Sequence, residues 1–347
     1  SNMQRLSIKE FWICDEAKAQ LFRAIAGYES LTHLEFSWLY LGDKGAEKLA
    51  QALTNCKHLT HLVLHHNHIG CEGVEALADM LSHCKSATHV NLRHNDFSAT
   101  EATSRKLGAA LQRCANLTLL DLSHCNLDDR HVTQFLHAFS TPQALQHLLL
   151  HNNAFSAPAV EALSALSWPS LRSLQLDGHV IGDAGAAALA ASLPRFKALR
   201  SLGLSRCEIG QQGGAALAHT LPHCPELTHL NLGWNCIEQG GAEALAAVLG
   251  KCPAVTDLRL SANRIGEGVT ALAMALPACE KLRRLDLRSN GVTETAAAAL
   301  AREVVKAPQS LAVDLRWNKF AHTDWMRALP VGHGDAGCAN GAVLRLH

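Results

Sequence analysis

The sequence predicts an α/β solenoid, one array of about twelve units in which a short strand, a turn and a helix follow each other. Three observations lead there. The second apolar position of each Leu-x-Leu strand recurs at Ile8, Phe36, Leu64, Leu92, Leu122, Leu150, Leu176, Leu204, Leu232, Leu260, Leu287 and Leu315, at intervals of 28, 28, 28, 30, 28, 26, 28, 28, 28, 27 and 28 residues. Such a period marks units that bury their apolar side only by stacking on their neighbours. Within a unit the pattern then changes period. The one around Leu232 opens on Leu227, Leu230 and Leu232, passes Asn235 and Ile237, and continues with Leu245 and Leu249, four residues apart. The first half alternates like a strand and the second repeats like a helix face. Finally, 48% of the 347 residues are hydrophobic and 18% charged, enough apolar material for a continuous core and too much for a disordered chain. Length ordinarily argues for two or three domains, but a repeat array grows by adding copies.

The spacing L-x-x-L-x-L-x-x-N/C-x-I followed by G-x-x-x-L-x-x-x-L resembles the ribonuclease-inhibitor-like class of leucine-rich repeats, found in intracellular immune receptors and some bacterial effectors. The resemblance runs from about Leu6 to Phe320. It implies a horseshoe whose inner side is a parallel sheet and whose outer side is helical.

Taken in order, the elements divide as an N-terminal capping repeat over 1–30, regular repeats over 31–320 and a C-terminal cap over 321–347, all in a single leucine-rich-repeat domain 1–347. A solenoid must cover its open core at both ends. Phe11, Trp12 and Ile13 suit one end, and Trp325, Met326 and Leu329 the other. Asn67, Asn95, Asn153, Asn235, Asn263, Asn290 and Asn318 each stand three residues after an anchor, where a buried amide satisfies backbone groups of the turn. That position holds Leu39, Cys125, His179 and Cys207 in other repeats, of which Leu39 and His179 depart from the pattern. The 30-residue unit after Leu92 has Glu101 where others have Gly, so its helix or flanking turn is expected to be irregular. The stretch 331–341 reads as a Gly-rich loop before a short strand at Val343, Leu344, Arg345 and Leu346.

Cys56, Cys84, Cys114, Cys224, Cys252 and Cys279 recur once per repeat just after the helix, which fits small apolar plugs between neighbouring helices better than disulfide halves. No C-x-x-C spacing occurs, and reduced thiols point to an intracellular setting, cytoplasmic or, for a secreted effector, the cytosol of a host cell. Ser1 and Asn2 before Met3 look like a tag remnant, and no apolar leader or run of about 18 apolar residues follows. The expectation is a soluble monomer without a membrane partner. Lys+Arg and Asp+Glu balance at 31 each, which gives no global field for nucleic acid and points to a protein partner.

In a strand the residues three and one before the anchor and one after it share a face, the inner one of the expected horseshoe. The first of these columns includes His33, His61, His89 and His147; the last includes His65, Arg93, His151, Arg288 and Arg316, with Arg259 in the middle column. Two residues after the anchor, at the rim, stand Trp38, His66, His94, His124, Arg206, Trp234 and Trp317. The face therefore divides into a His-rich zone with Trp38 at its edge, a small and featureless middle from Gly178 to Ser205, and a zone of Trp234, Trp317 and interleaved Arg and Asp. Exposed Trp and Arg dominate interface energetics, so both outer zones are candidate partner-binding surfaces. The other reading of the Arg/Asp zone is a ladder that pairs with itself across adjacent strands.

His33, His61 and His89 in one column raise two further expectations. Neighbouring strands lie about 4.8 Å apart, near enough for a shared zinc ion, but no Cys or carboxylate completes the shell, so no metal or other cofactor is assigned. Protonation near the ordinary imidazole value of about 6.5 would make binding pH-responsive.

Catalysis has no support: G-x-x-x-x-G-K-[ST], H-E-x-x-H and G-x-S-x-G are all missing, and a pair such as His124 and Asp121 lies on an open surface. The reading is a non-catalytic protein-interaction scaffold, in one version a bacterial effector that engages a host protein. Alternatives are a regulator that stimulates a small GTPase, for which the usual acidic C-terminal segment is missing, and a His-rich metal- or pH-responsive module. Ribonuclease inhibition fits poorly, because the inner columns mix His, Arg and Asp where basic ribonucleases need acidic residues.

Overall fold

Each unit of the repeat folds as its two periods require. In the computed structural model, which describes residues 3–10, 13–98, 100–307, 310–318, 320, 336–337 and 343–345, the chain forms two compact units, Ser1–Leu174 and Gln175–His347.

The first unit runs β1 (Arg5–Lys9), α1 (Asp15–Ile25), β2 (His33–Ser37), α2 (Gly42–Leu53), β3 (His61–Val63), α3 (Cys71–His83), β4 (His89–Asn91), α4 (Glu101–Gln112), β5 (Leu119–Asp121), α5 (Asp129–Ala138), β6 (His147–Leu149) and α6 (Ala157–Ala165), ending within β7 (Ser173–Gln175). Strands β1 to β6 pair in parallel in chain order, with Arg5, His33, His61, His89, Leu119 and His147 in one register. The second unit continues with α7 (Gly182–Ser192), β8 (Ser201–Gly203), α8 (Gln211–Thr220), β9 (His229–Asn231), α9 (Glu238–Leu249), β10 (Asp257–Arg259), α10 (Val269–Ala275), β11 (Arg284–Asp286), α11 (Glu294–Lys306), β12 (Ala312–Asp314), β13 (Ala336–Gly337) and β14 (Val343–Arg345). Here β8 to β12 are parallel neighbours, β14 adds in parallel to β12 where a terminal strand was expected, and β13 closes antiparallel on β14. Leu346 and the expected capping residues Phe11, Trp12, Trp325, Met326 and Leu329 lie outside the described residues, as does most of the Gly-rich stretch.

Alternation along a strand sends Leu62 and Leu64, or Leu230 and Leu232, into the core while their neighbours line the other face. The helices close the core with Leu at spacing four, as Leu245 and Leu249 do on α9. Their first turns pack too closely for a side chain at the repeat Gly: a Cβ on Gly73 would lie 2.7 Å from Ile69 and 2.8 Å from the Asp43 carboxylate. The same Asp43 caps the next helix, its Oδ1 accepting from Gly70 N at 2.7 Å and Gly73 N at 2.9 Å. Asp183 does this for Gly210 and Gly213 at 2.7 and 2.8 Å, and Asp129 for Ser156 and Ala159 at 2.7 and 3.2 Å. Orphan N–H groups of one helix are thus satisfied from the preceding repeat.

The Asn ladder is built as its spacing suggests. Asn67 donates to Phe36 O and Leu64 O at 2.7 and 2.9 Å and accepts from Leu39 N at 3.0 Å. Among the departures, His179 donates through Nδ1 to Leu176 O at 2.7 Å, the bond that the amide makes elsewhere, and Cys125 and Cys207 donate through Sγ to Leu92 O and Leu176 O at 3.3 and 3.1 Å. Leu39 fills its position with apolar volume alone and is 1% exposed.

The expected irregularity at Glu101 is not in the helix: α4 is a continuous 12-residue helix whose cap is Thr100, accepting from Thr103 N at 3.2 Å. The longer repeat takes its two extra residues before the helix, since α4 begins nine residues after its anchor and α3 begins seven after its own. The repeat-phased Cys residues are buried free thiols, Cys84 donating to Leu59 O at 3.4 Å and Cys252 to Val248 O at 3.3 Å.

Candidate functional site

One backbone conformation recurs after each of the strands β1 to β12. The residue two after each anchor is left-handed in all twelve repeats, with φ of 62° at Trp38, 58° at His66, 54° at His94, 55° at His124, 56° at Arg206, 58° at Trp234 and 60° at Trp317. Glycine would adopt it at least cost, and a residue with a Cβ costs roughly 1–2 kcal/mol more. Only Gly178 uses that economy. The turn holds the others by strand-like bonds, such as His66 N to Arg93 O at 3.0 Å and Arg206 N to Gly233 O at 3.0 Å. Trp38, Trp234 and Trp317 are 42%, 56% and 68% exposed from this position.

In the first unit the histidines form two stacks. His33, His61 and His89 lie face to face, with ring centroids 4.0 and 4.1 Å apart and planes within 16° of parallel. The second stack runs Trp38, His66, His94 and His124 at 3.8, 3.8 and 3.9 Å. Each ring of the first stack is set by the Thr before it. The Thr60 hydroxyl donates to Thr32 O at 2.9 Å, so at 2.8 Å from His61 Nδ1 it accepts, and the imidazole proton sits on Nδ1. Thr32 with His33, Thr88 with His89 and Thr228 with His229 repeat the arrangement. Stacked rings direct their in-plane Nε2 lone pairs side by side, whereas a tetrahedral zinc needs them to converge. Among the described residues no three potential ligands are grouped to hold a metal ion.

Burial first, then neighbouring His and Arg charges, keep these imidazoles neutral: His61 and His94 fall to about 4. His33, His65, His66, His89, His124 and His147 lie below their ordinary value for the same leading reason. His65 joins the zone through Ser37 Oγ at 3.0 Å and His66 Nδ1 at 3.0 Å, with Arg93 half-buried beside it. His151 is half-buried at the matching position after Leu150, and its backbone carbonyl accepts from His124 N at 2.8 Å.

The second unit carries the Arg, Asp and Trp zone. Its ion pairs run chiefly along the strand rather than across it, in a repeated Asp-Leu-Arg motif. Arg288 Nε and Nη2 donate to Asp286 at 2.8 and 2.6 Å, Arg316 to Asp314 at 2.9 and 2.6 Å, and Arg259 to Asp257 at 3.3 and 3.0 Å. Cross-strand contacts are looser, 3.7 Å from Arg288 to Asp314 and 3.9 Å from Arg284 to Asp257. Arg288 and Arg316 lie over the Trp317 ring at 5.3 and 5.7 Å, and Arg206 over Trp234 at 4.9 Å. Burial raises the Asp314 carboxyl, but hydrogen bonds and charge from Arg316 more than offset this and leave it below the usual range. Arg259, Arg284, Arg288 and Arg316, with Asp286 and Asp314, line a recess of about 270 Å³ on β10 to β12.

A polar network borders the stretch from Gly178 to Ser205: Asp177 accepts from Ser205 N at 2.9 Å and Asn231 Nδ2 at 3.2 Å, and Gln175 donates to Ser201 at 2.9 Å. Gly203 is needed there because a Cβ would collide with Gln175 and Asp177. The candidate residues thus fall in two zones, His-rich in the first unit and Arg-rich in the second. Missed in the sequence were the left-handed turns, the Thr partners and the Asp-Leu-Arg pairs; repeated Thr-His and Asp-Leu-Arg strings were the available signal.

Comparison with known proteins agrees with this architecture. Residues 55–78, 113–130, 169–190, 198–218, 223–246 and 278–301 match a family described as Leucine Rich repeat. No curated protein matches the chain. Among solved structures, an internalin from Listeria monocytogenes is similar over 94% of this chain and 85% of its own, at 16% identity and a TM-score of 0.58. Actin-binding site 2 of leiomodin-1 aligns with 43% of this chain and 86% of its own, at 18% identity and a TM-score of 0.36. The chain carries leucine-rich repeats and has their α/β solenoid fold.

Proposed function

We propose that this leucine-rich-repeat chain is a non-catalytic scaffold that holds a partner protein against its strand-lined face. The observation that carries the reading is the placement of Trp38, Trp234 and Trp317 at turn positions where glycine costs least and where each stays 42% to 68% exposed. A large aromatic held in a strained, exposed position contributes nothing to the core, while Trp is among the residues that dominate interfaces. Arg206, Arg288 and Arg316 flank two of the three and supply the polar rim that such contacts use.

The setting that suits this scaffold is a reducing one, the cytoplasm or a host cytosol reached by a bacterial effector, because the buried cysteines are used as free thiols. No helix among the described residues is long and apolar enough to cross a membrane. The test is affinity capture from cytosol with the wild-type chain, with Trp234→Ala/Trp317→Ala and with Trp38→Ala. A partner retained by the wild type and lost with one of the variants supports the reading. Equal recovery of every protein by all three overturns it.

A further inference from the structure

We infer that the recess on β10 to β12 receives carboxylate groups, and that its occupant is an acidic segment of a protein partner. This rests on the strand-face reading and adds the chemistry of what that face takes. The recess is layered by charge. The side chains of Asp286 and Asp314 in its lining, and of Asp257 beside it, are 7%, 16% and 11% exposed, whereas those of Arg259, Arg284, Arg288 and Arg316 are 45%, 59%, 30% and 33% exposed. An approaching chain therefore meets guanidinium groups with the carboxylates behind them.

The pairing also fixes which edge is offered. In Arg259, Arg288 and Arg316 it is Nε and Nη2 that grip the Asp two residues earlier. The opposite edge of a planar guanidinium carries Nη1, and among the described residues none of these three Nη1 groups donates a hydrogen bond. Three oriented donor edges on consecutive strands, with Arg284 in a loose 3.9 Å contact to Asp257, form a preorganised row for anionic oxygen. Four Arg against Asp257, Asp286 and Asp314 leave one net positive charge, so the row attracts carboxylates without the mutual repulsion of a bare Arg cluster. Trp317, stacked beneath two of these arginines, offers the adjoining apolar contact.

The test is fluorescence anisotropy of the full chain with three labelled octapeptides alternating leucine with glutamate, glutamine or lysine. The glutamate peptide should bind at least about tenfold tighter than the glutamine one, the factor expected from one charge-assisted hydrogen bond. Arg284→Gln should weaken it about tenfold, and so should Asp286→Asn/Arg288→Gln, which leaves the net charge unchanged. Arg105→Gln on the exposed side of α4, with the same charge change as Arg284→Gln, should not. Equal affinity for the glutamate and glutamine peptides overturns the carboxylate assignment and leaves the scaffold reading standing. A glutamate preference indifferent to the two recess variants, or equally reduced by Arg105→Gln, overturns the location. Failure of every peptide to bind also overturns the inference, while the scaffold reading is judged separately by partner capture with the Trp variants.

Discussion

His66 lies face to face with Trp38, their ring centroids 3.8 Å apart and their planes 16° from parallel. The indole thereby begins a column that continues through His94 to His124, where Asn152 hydrogen-bonds the last ring at 3.0 Å. Aromatic contact of this kind contributes about 0.5–1.5 kcal/mol per pair beyond area burial, and between imidazoles it holds only while stacked neighbours are not both charged.

The first prediction follows from that condition. His61 and His94 fall to about 4 in the folded chain, from an ordinary value of 6.5. The unfolded chain therefore takes up these protons at a higher pH than the folded one. Their contribution to stability is complete above about 6.5, declines as the pH falls, and is exhausted near 4. Urea midpoints measured from pH 7.5 to 4 should drop across that window, and His61→Gln/His94→Gln should flatten the drop. A double variant with an unchanged slope would show that other groups carry the acid sensitivity.

Asp183 ties two repeats together, and its removal exposes the cost. Asp183→Ala leaves the Gly210 and Gly213 N–H groups without their acceptor in a helix whose own Gly210 cap has no side chain. Loss of a cap costs about 0.5–2 kcal/mol. Denaturant titration should place the variant near the top of that range, because two donors are orphaned together, and Asp183→Asn should recover much of the loss. Hydrogen exchange at Gly213 should quicken in the alanine variant.

The thiols should separate by reactivity. Burial pushes Cys114, Cys207 and Cys252 up to about 12 and Cys224 and Cys279 to about 11. Thiolate is the reactive form, so these should resist a disulfide reagent at pH 7.5 until the chain is unfolded. Half-buried Cys14, Cys71 and Cys236 should be modified first, and mass spectrometry of partly labelled protein would read the order.

The repeat and its period were legible because Leu64, Asn67 and their counterparts answer to short-range rules: alternation, helix spacing and satisfaction of the turn. The shared column of His33, His61 and His89 followed from the same register arithmetic. What ring stacking does to those imidazoles depends on Thr32, Thr60 and Thr88, whose hydroxyls matter only after parallel strands bring the preceding repeat's carbonyl within reach. The alternative reading of the Arg/Asp zone, a ladder across adjacent strands, compares only neighbouring strands; residues two apart on one strand share a face equally well, and Asp286 with Arg288 takes that shorter path. Left-handed turns at Trp38 and Trp317 were hidden because no glycine announces them.

His179 offers the sharpest test of the ladder. The residue is 2% exposed and its Nδ1 proton serves Leu176 O at 2.7 Å, the bond that Asn235 makes to Leu232 O at 2.9 Å two repeats further along the second unit. If that donated bond is what the position requires, His179→Asn should fold with stability close to the wild type, the smaller side chain being offset by the second donor of an amide. His179→Leu keeps apolar volume, as Leu39 does, but removes from the Leu176 carbonyl the donor that it shares with the Cys207 thiol. An under-satisfied buried acceptor costs about 1–3 kcal/mol, so the leucine variant should melt well below the asparagine one. Equal melting of the two would mean that packing volume, rather than the donated proton, sets this position.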